Sequence, residues 1–197
     1  MSSARGANSG GEEEGTARTV AALVERLGQV ERSLITRRAF ALGLSATQAQ
    51  LLLHLADRAA GVMTLADALA LAPGTVSEAV SALVRKGLLA RRPDPADGRR
   101  HVLVLTRAGR RLAAGLRGHD APLVAALAAA GADERAASML MEAVAQLVRA
   151  GVVAETGMCL TCRHLARRGA GYHCALIDRP LTITTLRLSC PDHRAAG

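Results

Sequence analysis

Apolar residues return at helical intervals near the start of the chain. Val20, Leu23, Val24, Leu27, Val30, Leu34 and Ile35 fall on one face, which predicts a long amphipathic helix from about Thr16 to Ala41. Gly43 interrupts the pattern, and Ser45 is placed to cap a second helix bearing Leu51, Leu52, Leu55 and Ala56, ending near Gly61. Thr64 is read as the cap of a short third helix over residues 65–70. Pro73 suits the first turn of a fourth, whose buried stripe is Val76, Val80, Leu83 and Val84 and which Gly87 ends. The period then changes. Two short apolar runs, 88–90 and 102–105, flank Pro93, Pro95 and Gly98, the signature of a hairpin with an irregular, exposed tip. From Arg107 two further helices are predicted to reach about Val153, parted by Gly131, Ala132 and Asp133.

Two short helices across a tight turn, followed by a two-stranded hairpin, make a winged helix-turn-helix. The predicted fold class is therefore mainly α with a small β-hairpin wing. Three regions follow from the pattern: a Ser/Gly-rich tail with Glu12, Glu13 and Glu14 over residues 1–15, read as disordered, a helical core over 16–156, and a different segment over 157–197. The core is aliphatic, because Phe40 and Tyr172 are the aromatic residues of the chain.

Charge gives the hairpin a use. Between Arg85 and Arg111 nine basic residues face two acidic ones, a net of +7 against +8 for the whole chain. Such a concentration points to a polyanion. The exposed positions of the fourth helix would be Gly74, Thr75, Ser77, Glu78 and Ser81, opposite its apolar stripe. Thr75 and Ser77 can bond phosphates or bases, and Glu78 can accept from a cytosine amino group or reduce indiscriminate phosphate binding. Arg85 at the far end, with Arg91 and Arg92 on the first strand, can reach the backbone. Arg99 and Arg100 at the tip suit a narrow minor groove, with Asp97 able to hold one guanidinium in a fixed direction.

The stretch Leu44 to Gln48, the helix start Ala72 to Ser77, the segment Leu83 to Arg100 and the run Leu105 to Gly109 together resemble MarR-family transcriptional regulators. The resemblance spans about Thr19 to Val153, with the family's wing Asp and Arg falling on Asp97 and Arg99. It implies a homodimer with the first and last core helices intertwined and the wings outward. It also implies repression at pseudo-palindromic operators in double-stranded DNA, often relieved by a small-molecule effector or an oxidant. Relatives that sense peroxide use a cysteine in the amino-terminal half; here that half has none. Glu78, where relatives often carry a basic or small polar residue, leaves the operator sequence unreadable.

All four cysteines lie in the last region: Cys159, Cys162, Cys174 and Cys190, spaced Cys-x2-Cys-x11-Cys-x15-Cys. A Cys-x2-Cys pair presents two thiolates to one metal, and two later cysteines can complete a four-ligand centre. Arg163, Arg167 and Arg168 would favour thiolate formation, and His164, His173 and His193 could replace a ligand or bond the sulfurs. The metal stays open between zinc, a structural staple, and an iron–sulfur cluster, to whose high-potential proteins the singleton spacing and Pro191 are weakly similar. Of the remaining histidines, His54 is expected packed or at the surface and His119 at the surface.

No stretch reaches the roughly 18 apolar residues of a spanning helix, and the amino terminus does not read as a signal peptide. The expected compartment is the cytoplasm. No phosphate loop, dinucleotide fingerprint or nucleophile–base constellation appears, so the expectation is a non-enzyme. The leading reading is a sequence-specific DNA-binding repressor whose four-cysteine metal centre senses redox state or iron. The alternative is a dimeric protein-interaction adaptor with a structural zinc tail and only weak, non-specific DNA binding.

Overall fold

The structure, a computed structural model, describes residues 6–94, 97–155, 157–169 and 171–196. Helix α1 (Gly6–Ala41) is followed by α2 (Ala46–Asp57), α3 (Val62–Leu69) and α4 (Pro73–Arg85), then the hairpin β1 (Leu89–Pro93) and β2 (His101–Leu105). Helices α5 (Arg107–Leu116), α6 (Ala121–Ala129) and α7 (Glu134–Arg149) complete the core, and a three-stranded sheet, β3 (Leu165–Arg168), β4 (Gly171–Cys174) and β5 (Arg179–Leu181), follows. The expected mainly α fold with a hairpin wing is the observed one.

Local chemistry explains most boundaries. Ser45 and Gln48 close a capping box at the start of α2. Pro73 opens α4, where its missing N–H costs nothing. Thr106 caps α5 by accepting the Gly109 N–H at 3.0 Å while its hydroxyl donates to the Gly87 carbonyl at 2.8 Å, tying the end of α4 to the start of α5. Gly109 is required there: a Cβ would lie 2.1 Å from the Leu88 carbonyl oxygen.

Four expectations change. Helix α3 starts at Val62 behind Gly61, so Thr64 sits inside it and caps nothing; the apolar pair Val62–Met63 extends the helix one turn back. Three helices, not two, follow the wing, because Gly118 at φ +75° breaks the backbone between α5 and α6. Helix α1 reaches back to Gly6, so residues 6–15 are helical; residues 1–5 lie outside the described residues. His119 is not a surface residue: its side chain is 13 % exposed and its Nε2 pairs with Glu31 on α1 at 3.1 Å.

The core is one aliphatic cluster. Ile35 and Ala39 of α1 meet Leu51, Leu52 and Leu55 of α2, Val76, Val80 and Leu83 of α4, Leu103 and Leu105 of β2, and Leu116 of α5. Elsewhere the apolar faces are uncovered. Leu23, Val24, Leu27 and Val30 of α1 are exposed, as are Val124 and Leu127 of α6 and Met139, Leu140, Val144 and Leu147 of α7. Among the described residues no single helix is long and apolar enough to cross a membrane.

Candidate nucleic-acid interface and cysteine module

The turn between α3 and α4 is short because Ala70 takes a left-handed conformation, φ +49°, and closes the last turn of α3 with its N–H. This sets α4 at a steep angle to α3. Val76, Val80 and Leu83 are fully buried, which pins the opposite face outward. Gly74, Thr75, Ser77, Glu78 and Arg85 are exposed on that face; Ser81 is half-buried, lower on the helix than the alternation suggested. Lys86, just past α4, donates to the Gly43 carbonyl at 2.8 Å and to Gln48 Oε1 at 3.1 Å, fixing the end of α4 to the loop before α2.

Beside α4 the wing pairs in antiparallel register from Leu89 opposite Leu105 to Pro93 opposite His101. Leu103 also donates its N–H to the Ala60 carbonyl at 2.9 Å, so the segment after α2 braces the wing base. Arg91 and Arg92 of β1 are exposed. At the tip Asp97 organises the turn. Its Oδ1 accepts the Arg99 N–H at 3.1 Å, its carbonyl accepts the Arg100 N–H at 2.9 Å, and its Oδ2 lies 3.4 Å from Arg100 Nε. The guanidinium that Asp97 steers is thus Arg100. Arg99 projects beside it, without an ion-pair partner among the described residues. Pro95 and Ala96 of the tip lie outside the described residues.

The cysteine region is a small folded module. Cys159 opens a one-turn 3-10 segment, and the Cys162 N–H returns to the Cys159 carbonyl at 3.0 Å. Cys174 ends β4 opposite Leu165 of β3. Cys190 donates its N–H to the Gly157 carbonyl at 2.7 Å, and Gly157 at φ +86° leaves room for it, since a Cβ would lie 2.9 Å from the Cys190 carbonyl oxygen. Cys162 bridges to Ala195, so the end of the chain closes over the Cys-x2-Cys turn. The module rests on α7, where Arg149 donates to the Leu160 carbonyl at 3.1 Å, and Met158 is fully buried.

The four thiols are free and half-buried. They share one neighbourhood, which Cys159 registers. Burial pushes its thiol up, the Arg187 N–H at 3.2 Å from its sulfur draws it partly back, and the charges of Cys190, Cys162 and Cys174 push it up again. The expectation that nearby arginines favour the thiolate therefore does not hold at Cys159, where burial and like charges outweigh any cation. Among the described residues no three His, Cys, Asp or Glu side chains stand as the ready ligand set of a metal ion. Nor do the histidine rings bond the sulfurs: His173 Nε2 pairs with Asp178 at 3.1 Å, and His193 Nε2 lies 3.2 Å from the Thr161 hydroxyl and 3.8 Å from Glu155. The sulfur contact that sequence could not supply is the Arg187 backbone N–H, because it comes from a residue 28 positions away.

The MarR family matches residues 42–100, which run from the end of α1 through the wing tip. No curated protein matches the chain. Its fold is similar to a MarR-family transcriptional regulator from Rhodococcus sp. RHA1 (20% identity, 68% of this chain and 95% of that one, TM-score 0.53). It is likewise similar to the transcriptional regulator BldR from Sulfolobus Solfataricus (18% identity, 68% and 96%, TM-score 0.57). A third similar structure is CouR from Rhodococcus jostii RHA1 bound to p-coumaroyl-CoA (21% identity, 66% and 91%, TM-score 0.54).

Proposed function

The winged helix of this chain matches the MarR family over residues 42–100, and from that match we propose that the protein is a dimeric, sequence-specific DNA-binding repressor of that family. The observation that carries the reading is the juxtaposition of an exposed polar face on α4 with a wing tip whose turn is set by Asp97. Thr75, Ser77 and Glu78 enter the major groove, with Ser81 and Arg85 toward its edge. Arg91 and Arg92 meet phosphates, and Arg99 enters the minor groove with Arg100 held alongside by Asp97. Arg99→Ala is expected to weaken operator binding by about 1–3 kcal/mol, measured by gel shift; unchanged affinity removes the wing from the interface.

Dimerisation supplies the second half-site. The uncovered apolar stripes of α1, α6 and α7 need a partner of the same composition, and a second copy provides it. The pairing is tested by the solution mass of the purified chain.

The cysteine module is proposed to hold one metal centre, zinc or an iron–sulfur cluster, on Cys159, Cys162, Cys174 and Cys190. Its donor chemistry fits: four thiols share one neighbourhood, and one sulfur already accepts a backbone N–H, as metal-bound thiolates do. A bound cation would offset the mutual repulsion that burial imposes on those sulfurs. Elemental analysis with a visible spectrum distinguishes the two centres. Gel shifts under anaerobic and oxidising conditions then report whether the centre governs DNA release.

A further inference from the structure

A cavity of about 490 Å³ lies between the end of α2 and the cysteine module. One wall is His54, Asp57 and Arg58; the other is Arg187, Ser189 and Pro191. Asp57 lies 3.5 Å from Arg117, whereas Arg58 and Arg187 have no ion-pair partner among the described residues. Two unengaged guanidiniums against one engaged carboxylate leave the cavity cationic. Its volume falls within the roughly 300–1,000 Å³ of small-molecule sites.

We propose that this cavity binds a small oxyanion, a carboxylate or a phosphate, between the Arg58 and Arg187 guanidiniums, with the Ser189 hydroxyl as a third donor. Planar guanidiniums favour that geometry, since each can present two parallel N–H groups to one oxyanion. The site also joins two parts of the molecule. Arg187 is placed by Cys159, whose N–H donates to the Arg187 carbonyl at 2.8 Å and whose sulfur accepts the Arg187 N–H at 3.2 Å. Ser189 and Pro191 flank Cys190. The tail wall is therefore tied in part to the Cys159 sulfur. The opposite wall leads into the segment at Ala60 that braces β2. An anion spanning both walls links the state of the cysteine module to the base of the wing. Only this last consequence rests on the DNA-binding reading; the site itself does not.

The test is calorimetric titration of the full-length protein, without DNA, with inorganic phosphate and separately with succinate. Saturable binding of either probe is expected, weakened at least about tenfold by Arg58→Ala and by Arg187→Ala and unchanged by Arg179→Ala on β5, outside the cavity. Phosphate alone, or succinate alone, identifies the preferred oxyanion. Cys159→Ala is expected to weaken binding as well, because it removes the sulfur that accepts the Arg187 N–H. Absence of saturable binding for both probes, or binding untouched by both Arg58→Ala and Arg187→Ala, overturns the proposal. Binding that persists in a protein shown not to bind DNA would leave the site standing and remove only its regulatory consequence.

Discussion

The winged helix and the cysteine module are held together by different means. The winged helix closes over a continuous aliphatic cluster drawn from α1, α2, α4, the wing and α5. The module buries Met158, Ile183 and Leu186 and relies on turns, three short strands and backbone hydrogen bonds between distant residues. A fold secured by apolar packing resists the loss of any one polar contact. A fold with a small apolar share is helped by a staple, and the metal centre proposed on the four thiols would supply one. The two regions should therefore fail under different insults.

The largest effect is expected from the thiols. Replacing Cys159 and Cys162 together by Ser removes half of the proposed donor set, and a structural metal centre contributes on the order of 10 kcal/mol to the segment it organises. Residues 157–196 should become protease-sensitive while the helical core keeps its melting transition. Loss of both regions together would show that the core depends on the module; full protection of the module would show that the thiols do not hold it.

Next come changes inside the core. Leu52 is fully buried in α2, so Leu52→Ala should destabilise the winged helix by about 2–5 kcal/mol in denaturant titration while metal content is unchanged. Gly109→Ala forces a Cβ against the Leu88 carbonyl and should cost about 1–3 kcal/mol, with weakened wing attachment. A neutral Gly109→Ala would mean that the contact between α5 and the wing yields freely.

The smallest effect concerns pH. Burial, then the Arg58 charge, lower the His54 pKa below its ordinary value of 6.5, with Asp57 opposing. The unfolded chain then binds the proton more readily than the folded one. Stability is thus full above 6.5 and declines as pH falls below it toward the depressed folded value. His54→Gln should remove this share of the acid sensitivity; an identical decline in melting temperature with acid would assign it to other groups.

Most of the winged helix was legible because its signals are local. Pro73 and Gly87 bound α4, the Val76, Val80 and Leu83 spacing names its buried face, and the Pro- and Gly-containing tip marks the wing. The break between α5 and α6 was hidden, since apolar residues on both sides, Leu112 and Leu116 before it and Leu123 and Val124 after it, let one helix be read through Gly118. The early start of α3 was hidden because Gly61 caps it with backbone alone. In the module, the cysteine spacing suggests a ligand set, but the fold around the cysteines depends on pairings such as Cys162 with Ala195 and Cys159 with Arg187. Those contacts join residues too far apart for periodicity to register. The stripe on α1 was legible as amphipathic, yet its period could not say that α1 leaves Leu23, Val24 and Leu27 uncovered.

Footprinting shows whether α4 and the wing read duplex DNA as a pair of copies. With purified full-length protein on promoter fragments, two protected half-sites are expected about one helical turn apart, with hypersensitivity or protection in the flanking minor grooves that Arg99→Ala abolishes. Uniform, salt-sensitive coating without discrete half-sites, or no protection at low salt, would contradict it.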